Sequence, residues 1–213
     1  MNWKGVNAVV RIMVITDFFV NSAFGSFAPI FAIFITNQIA GGSPKVAGLA
    51  TAVYWIVKSC IQLPIARFLD KAKGESDHFW ALFGGYVASA FVPFAYIFIS
   101  EPWHLYVAQG FLGVAMAFAV PAWYSIFTRH VDTWGISFEW SLQSVFSVGV
   151  ATALSAAVGG YVAETFGFKI VFAFAGALAL LSSFLLLPIR RNLFKTPEAA
   201  MRVMPERPHR RVH

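Results

Sequence analysis

The chain has 213 residues, of which 58% are hydrophobic, 17% aromatic and only 12% charged, with a mean hydropathy of +0.67. A soluble domain is usually about a quarter charged, so a water-soluble globule, a disordered chain, a coiled coil and a collagen-like fibre are all excluded. The net charge of +6 (16 Lys+Arg against 10 Asp+Glu) gathers at the ends of apolar runs, which points to membrane topology and away from nucleic acid. A single cysteine, Cys60, rules out an intrachain disulfide and a Cys-built metal site; no metal site and no cofactor are expected.

Six apolar stretches are long enough to cross a bilayer as helices, at about 20 residues each. They cover residues 12–35, 46–69, 79–99, 105–127, 140–163 and 170–188. The runs are continuous, whereas barrel strands alternate in segments of about ten residues. The first run is too long for a signal-peptide core and has no A-x-A site, so it is read as a retained span. The predicted organisation is a cytoplasmic N-terminus (1–11), a six-helix transmembrane domain (12–188) and a basic cytoplasmic tail (189–213).

Lys and Arg set the orientation. Lys4, Arg11, Arg67, Lys71, Lys73, Arg129, Arg190, Arg191, Lys195, Arg202, Arg207, Arg210 and Arg211 share one side; Lys45 and Lys169 lie on the other. Both termini are therefore predicted on the cytoplasmic face of the cell membrane.

The chain repeats internally. At a shift of 92 residues Asp17 falls on Gln109, Pro29 on Pro121 and Thr36 on Thr128. At a shift of 94, Asp70 meets Glu164 and Ala66 meets Gly160. Three spans per repeat is an odd number, so the two copies must be inverted across the membrane, which is a transporter architecture.

Polar residues mark faces within the spans. Asp17, Asn21 and Gly25 recur every four residues and share one face of the first span; Ser141, Ser144, Thr152, Ser155 and Gly159 form an arc on the fifth. Such a face either lets helices approach closely or lines a polar cavity. The third and sixth spans are apolar nearly all round and read as lipid-facing, leaving the first, second, fourth and fifth as the interior. Asp17 and Lys58 are the ionisable residues inside the predicted spans, and each costs about 2.5–3.5 kcal/mol at a helix centre. Asp17 is a candidate proton carrier or substrate group, or a hydrated residue beside Arg11. Lys58 is a candidate anion-binding group, or one paired with an acid; its depth makes a direct pair with Asp17 doubtful. Gln109 and Asn21 are candidate hydrogen-bonding groups for a substrate, or helix–helix contacts.

These residues resemble the amino-terminal half of a major facilitator superfamily transporter over residues 8–190. The loop after the second span, residues 63–74, is similar to the family's G-x-x-x-D-R/K-x-G-R/K motif: Asp70 and Lys71 match its acid–base pair, Ala66 stands for its first Gly, and Gly74 comes one residue late. Gln109 and Gly110 match the end of R-x-x-Q-G, with Tyr106 where the family has the Arg linked to proton coupling; Gly159 and Gly160 match the end of G-P-x-x-G-G. The resemblance implies an all-α membrane fold of two inverted three-helix repeats and secondary transport of a small solute by alternating access. It makes Asp17, Asn21, Gly25, Gln109 and Lys58 cavity residues and Asp70 and Lys71 a conformational latch. Ser144, Thr152, Ser155 and Gly159 would face a second half. The family unit has two six-span halves, so the implied partners are the lipid bilayer and a second half, as a homodimer or a separately encoded chain. The solute is unknown, with H+ or Na+ as candidate coupling ions. The competing expectations are a non-transporting scaffold or a truncated, inactive fragment. An enzyme is not expected: G-x-S-G and H-E-x-x-H are missing, and the five His residues sit in loops, at span ends or in the tail.

Overall fold

A computed structural model describes residues 6–72 and 74–193. Lys4, Lys73 and the tail from residue 194, which carry part of the predicted positive side, lie outside the described residues, as do residues 1–5 of the predicted N-terminal segment. The described chain is all helix, with no strand. Six helical spans are long and apolar enough to cross a membrane: Ala8–Gln38, Pro44–Asp70, Ser76–Tyr96, Pro102–His130, Ile136–Phe166 and Phe168–Arg190.

Local chemistry sets where they begin and break. Asn7 caps the first span, its side chain accepting from the Val9 N–H at 2.9 Å. Ser43 does the same for the second, accepting from the Val46 N–H at 3.3 Å with Pro44 in the first turn, where a missing N–H costs nothing. The first span is not one continuous helix. Pro29 lacks an N–H, and a 3-10 turn at Ala28–Ile30 separates Ala8–Gly25 from Phe31–Gln38. The fifth and sixth spans are joined by Gly167 alone, at φ +87°, a conformation that favours glycine.

The second span packs on the fourth, the fourth on the third, the third on the sixth, the sixth on the first and the first on the fifth. Exchanging first with fourth, second with fifth and third with sixth reproduces these pairings, as a repeat of three spans requires. Small residues set the approach. Gly85 of the third span faces Ala115 and Ala119 of the fourth, and Gly113 of the fourth faces Tyr54 and Val57 of the second. Without a hydrophobic force between helices in lipid, such close contact is what holds them.

Two apolar cores lie at opposite ends of the bundle. One, at the end where residues 6 and 193 lie, joins Val10, Met13, Leu82, Ile126, Phe127 and Leu186. The other joins Phe27, Phe34, Tyr96, Leu105 and Phe172, with Phe34 and Phe172 edge-to-face at 4.7 Å. Within an apolar 18-residue stretch of each span, 50% of the residues are buried in the third and 44% in the sixth, against 6% in the second and 17% in the fifth. The all-apolar third and sixth spans therefore supply much of the packed interior, and the second and fifth spans are the open ones.

Candidate functional site

The first span carries Asp17 into the bundle a little over two turns from its start, 8% exposed. Its two carboxylate oxygens are served from different helices. Gln143 Nε2 of the fifth span donates to Oδ2 at 2.7 Å, and the Tyr86 hydroxyl of the third span donates to Oδ1 at 3.3 Å. Asn21 Nδ2 donates to the Asp17 backbone carbonyl at 2.8 Å. Two serines extend the network: Ser147 donates to the Val14 carbonyl and Ser182 to the Thr16 carbonyl, each at 2.8 Å. One acidic side chain thus ties three spans together. Donors aimed at a carboxylate reduce the cost of holding charge among apolar side chains, and the oxygens keep lone pairs for a proton or a further donor.

Gln143 opens a π-helical stretch, Gln143–Val150. Its i→i+5 bonds put more residues in each turn than an α-helix has, so each residue advances the face by less. The serine arc read at uniform α spacing is therefore split. Ser144 is exposed, while Ser147 is buried against the first span. Thr152 and Ser155 are half buried at the first span, where a Cβ on Gly25 would stand 2.6 Å from Ser155 Oγ. Gly159 is buried beneath the Ser26 carbonyl. Gly25, Thr152, Ser155 and Gly159, expected in a cavity or on an interdomain face, meet at the seam of the first and fifth spans, and Ser155 and Gly159 also line the apolar groove beside it.

The other candidates are separate from Asp17. Gln109 is 7% exposed and flanked by Ala108 and Leu112 of the opposite core. Lys58 is half buried, its ammonium 4.6 Å from the Trp55 ring centroid and 5.6 Å from that of Tyr54; among the described residues no ion pair joins it to Asp17. Asp70 and Lys71 are both exposed at the end of the second span. Beside them Glu75 ties the loop to the fourth span, with Arg129 Nη1 at 4.0 Å and His130 Nε2 at 3.6 Å.

Sequence reading missed Gln143, Tyr86 and Glu139. The fifth span starts four residues before the predicted boundary, so Glu139 belongs to it, fully buried, with Oε2 accepting from the Asp132 N–H at 3.2 Å. An apolar groove of about 670 Å³ lies between the first, fifth and sixth spans, lined by Phe18, Ser22, Val158, Phe174 and Leu178 among others. Asp17 is not part of its wall.

Among curated proteins, none gives a significant match to the chain. The sequence profile of the Major Facilitator Superfamily matches residues 13–208, nearly the whole length. Members of that family are transporters, and the six apolar helices in mirrored triplets are what such a match requires. The chain is a multi-pass transmembrane transport protein and belongs to the Major Facilitator Superfamily.

Proposed function

We propose that the chain is one half of a two-half secondary transporter and moves a small solute by alternating access. The observation that carries this reading is the contrast in burial: of an apolar 18-residue stretch in each span, 6% and 17% is buried in the second and fifth, against 44–50% in the other four. Two spans left open on one bundle fit rocking against a second six-span unit about a shared site. The partner is a second copy or a separately encoded half. Asp17 and Asn21, with Gln143 and Tyr86 behind them, form the polar centre on this half, and the Asp17 carboxylate is the group suited to H+ or Na+. Gln109 and Lys58 form a second polar level. Asp70 and Lys71 serve as the latch at the cytoplasmic end, with the Asp70 carboxylate stabilised at a helix N-terminus of the partner half. The positive-inside asymmetry supports a cytoplasmic position for both termini.

The native cysteine supplies a direct test. Cys60 is exposed on the second span. A bifunctional thiol reagent applied to intact membranes is expected to give a product near twice 23.5 kDa if two copies assemble, and a product of different mass if a separate chain supplies the second half. The captured complex is then reconstituted in liposomes and screened for solute counterflow. An assembled complex that moves no solute supports the scaffold reading instead.

A further inference from the structure

Among the described residues, three hydrogen-bonding side chains at the seam of the second and fourth spans make no hydrogen bond or ion pair. Lys58 Nζ contacts only the faces of Trp55 and Tyr54. Among the described residues, no carboxylate lies within 4.0 Å of it. Gln109 is buried and its amide makes no hydrogen bond, and neither does the Tyr54 hydroxyl.

Geometry brings the three to one level. A Cβ on Gly113 would stand 2.8 Å from the Tyr54 carbonyl oxygen and 3.2 Å from the Lys58 amide nitrogen; one on Gly110 would stand 3.8 Å from Val53 Cγ1. The two spans run in the same direction. Gln109, four residues before Gly113, is therefore level with Tyr54, four residues before Lys58. Helical side chains lean toward the helix N-terminus, so the Lys58 ammonium comes back to that level, as its ring contacts require. At about 100° per residue, Lys58, Tyr54 and Gln109 fall on the same side of the seam.

The internal repeat sharpens the contrast. Asp17 and Gln109 are counterparts at a shift of 92. At Asp17 the bundle supplies an acceptor and its donors together. At Gln109 it supplies an ammonium, an amide and a phenol and, among the described residues, no carboxylate. An ammonium, an amide and a phenol at one level of one seam are the complement of an oxyanion. A lipid phosphate is too far away: Lys58 is 14 residues from Pro44 and 12 from Asp70, about 18–21 Å from either helix end at 1.5 Å per residue.

We infer that the seam of the second and fourth spans binds the carboxylate of an anionic solute, held by Lys58 with Gln109 and Tyr54. This rests on the transport reading above and names its substrate class. The site holds an anion and carries out no chemistry on it.

Trp55 provides the readout. The full chain is placed in particles of neutral phosphatidylcholine. A series of carboxylates from acetate to benzoate is titrated, each paired with its uncharged amide. The acids are expected to change the Trp55 fluorescence saturably and the amides to leave it unchanged, with Trp55→Phe removing the signal. Lys58→Arg keeps the response. Lys58→Gln, which removes a mid-span charge and so is expected to fold, weakens it at least tenfold, and Gln109→Leu several-fold. Equal responses to acids and amides, an unaltered Lys58→Gln, or no response in folded chain overturns the site. A response seen only with anionic lipid in the particles assigns the ammonium to a headgroup and also overturns it. Binding without flux in the assembled complex keeps the site and defeats the transport reading. Flux of a neutral solute that Lys58→Gln leaves unchanged does the reverse.

Discussion

Replacing Gln143 by Leu leaves the Asp17 carboxylate with one donor instead of two. The lost bond is the short one, 2.7 Å, and it joins the fifth span to the first. Tyr86→Phe removes a longer bond at 3.3 Å and keeps the ring in the core. Hydrogen bonds between membrane helices contribute about 0.6 kcal/mol on average and up to about 1.7. Gln143→Leu is therefore expected to destabilise by about 1–2 kcal/mol and Tyr86→Phe by less than about 1, with the double variant departing from additivity because both act on one carboxylate. Unfolding of the purified chain in mixed micelles measures all three; a larger loss from Tyr86→Phe contradicts the assignment. Asp17 stood out in the sequence because a charge in an apolar run demands a reason. Its donors did not. Gln143 sits among serines that look like one stripe only if the helix is uniformly α, and Tyr86 sits in an aromatic stretch where a hydroxyl leaves no mark on hydropathy. Both become visible only when three separate spans are brought together.

The helix seams give a sharper test at the scale of the element. Gly159 and Gly160 are adjacent in the sequence and belong to the same family motif, yet they differ in the fold. A Cβ at Gly159 collides with the Ser26 backbone on the first span, which cannot move aside without carrying that helix with it. A Cβ at Gly160 meets nothing within 4 Å. Gly159→Ala is expected to cost about 1–3 kcal/mol, the range for overpacking a tight contact, while Gly160→Ala is neutral or slightly stabilising through reduced backbone freedom. Thermal unfolding of the two single variants under identical conditions decides this, and equal effects count against the seam. The six spans themselves were legible because apolar length alone defines them, and their ends were recovered to within four residues. The break at Pro29 and the π stretch at Gln143–Val150 were not legible. Hydropathy carries no record of hydrogen-bond register, and a proline inside a span can be accommodated without a break, as Pro64, Pro93 and Pro121 are here.

At the scale of the molecule, lipid-facing and partner-facing surfaces look alike in composition, since lipid tails are as apolar as Leu. This is why the third and sixth spans read as peripheral when half of their residues are packed inside, and why openness had to come from the assembled bundle. The same physics separates the two kinds of surface by mutation. Truncating a lipid-facing Leu changes little, because lipid fills the space; truncating a partner-facing one leaves a gap in a protein contact. Leu63 on the second span is 69% exposed and Leu154 on the fifth 60%, whereas Phe91, 55% exposed, is on the third span, which packs on the fourth and sixth. Leu63→Ala combined with Leu154→Ala is expected to leave the unfolding temperature of the isolated chain within about a degree or two, as surface changes do, yet to reduce the assembled fraction several-fold. Phe91→Ala, as the control, leaves assembly intact. The measurement is the mass of the complex in native-lipid particles at matched concentration. If the double variant assembles as the parent does, the open faces of the second and fifth spans are ordinary lipid surface, and the burial contrast that supports a two-half transporter loses its meaning.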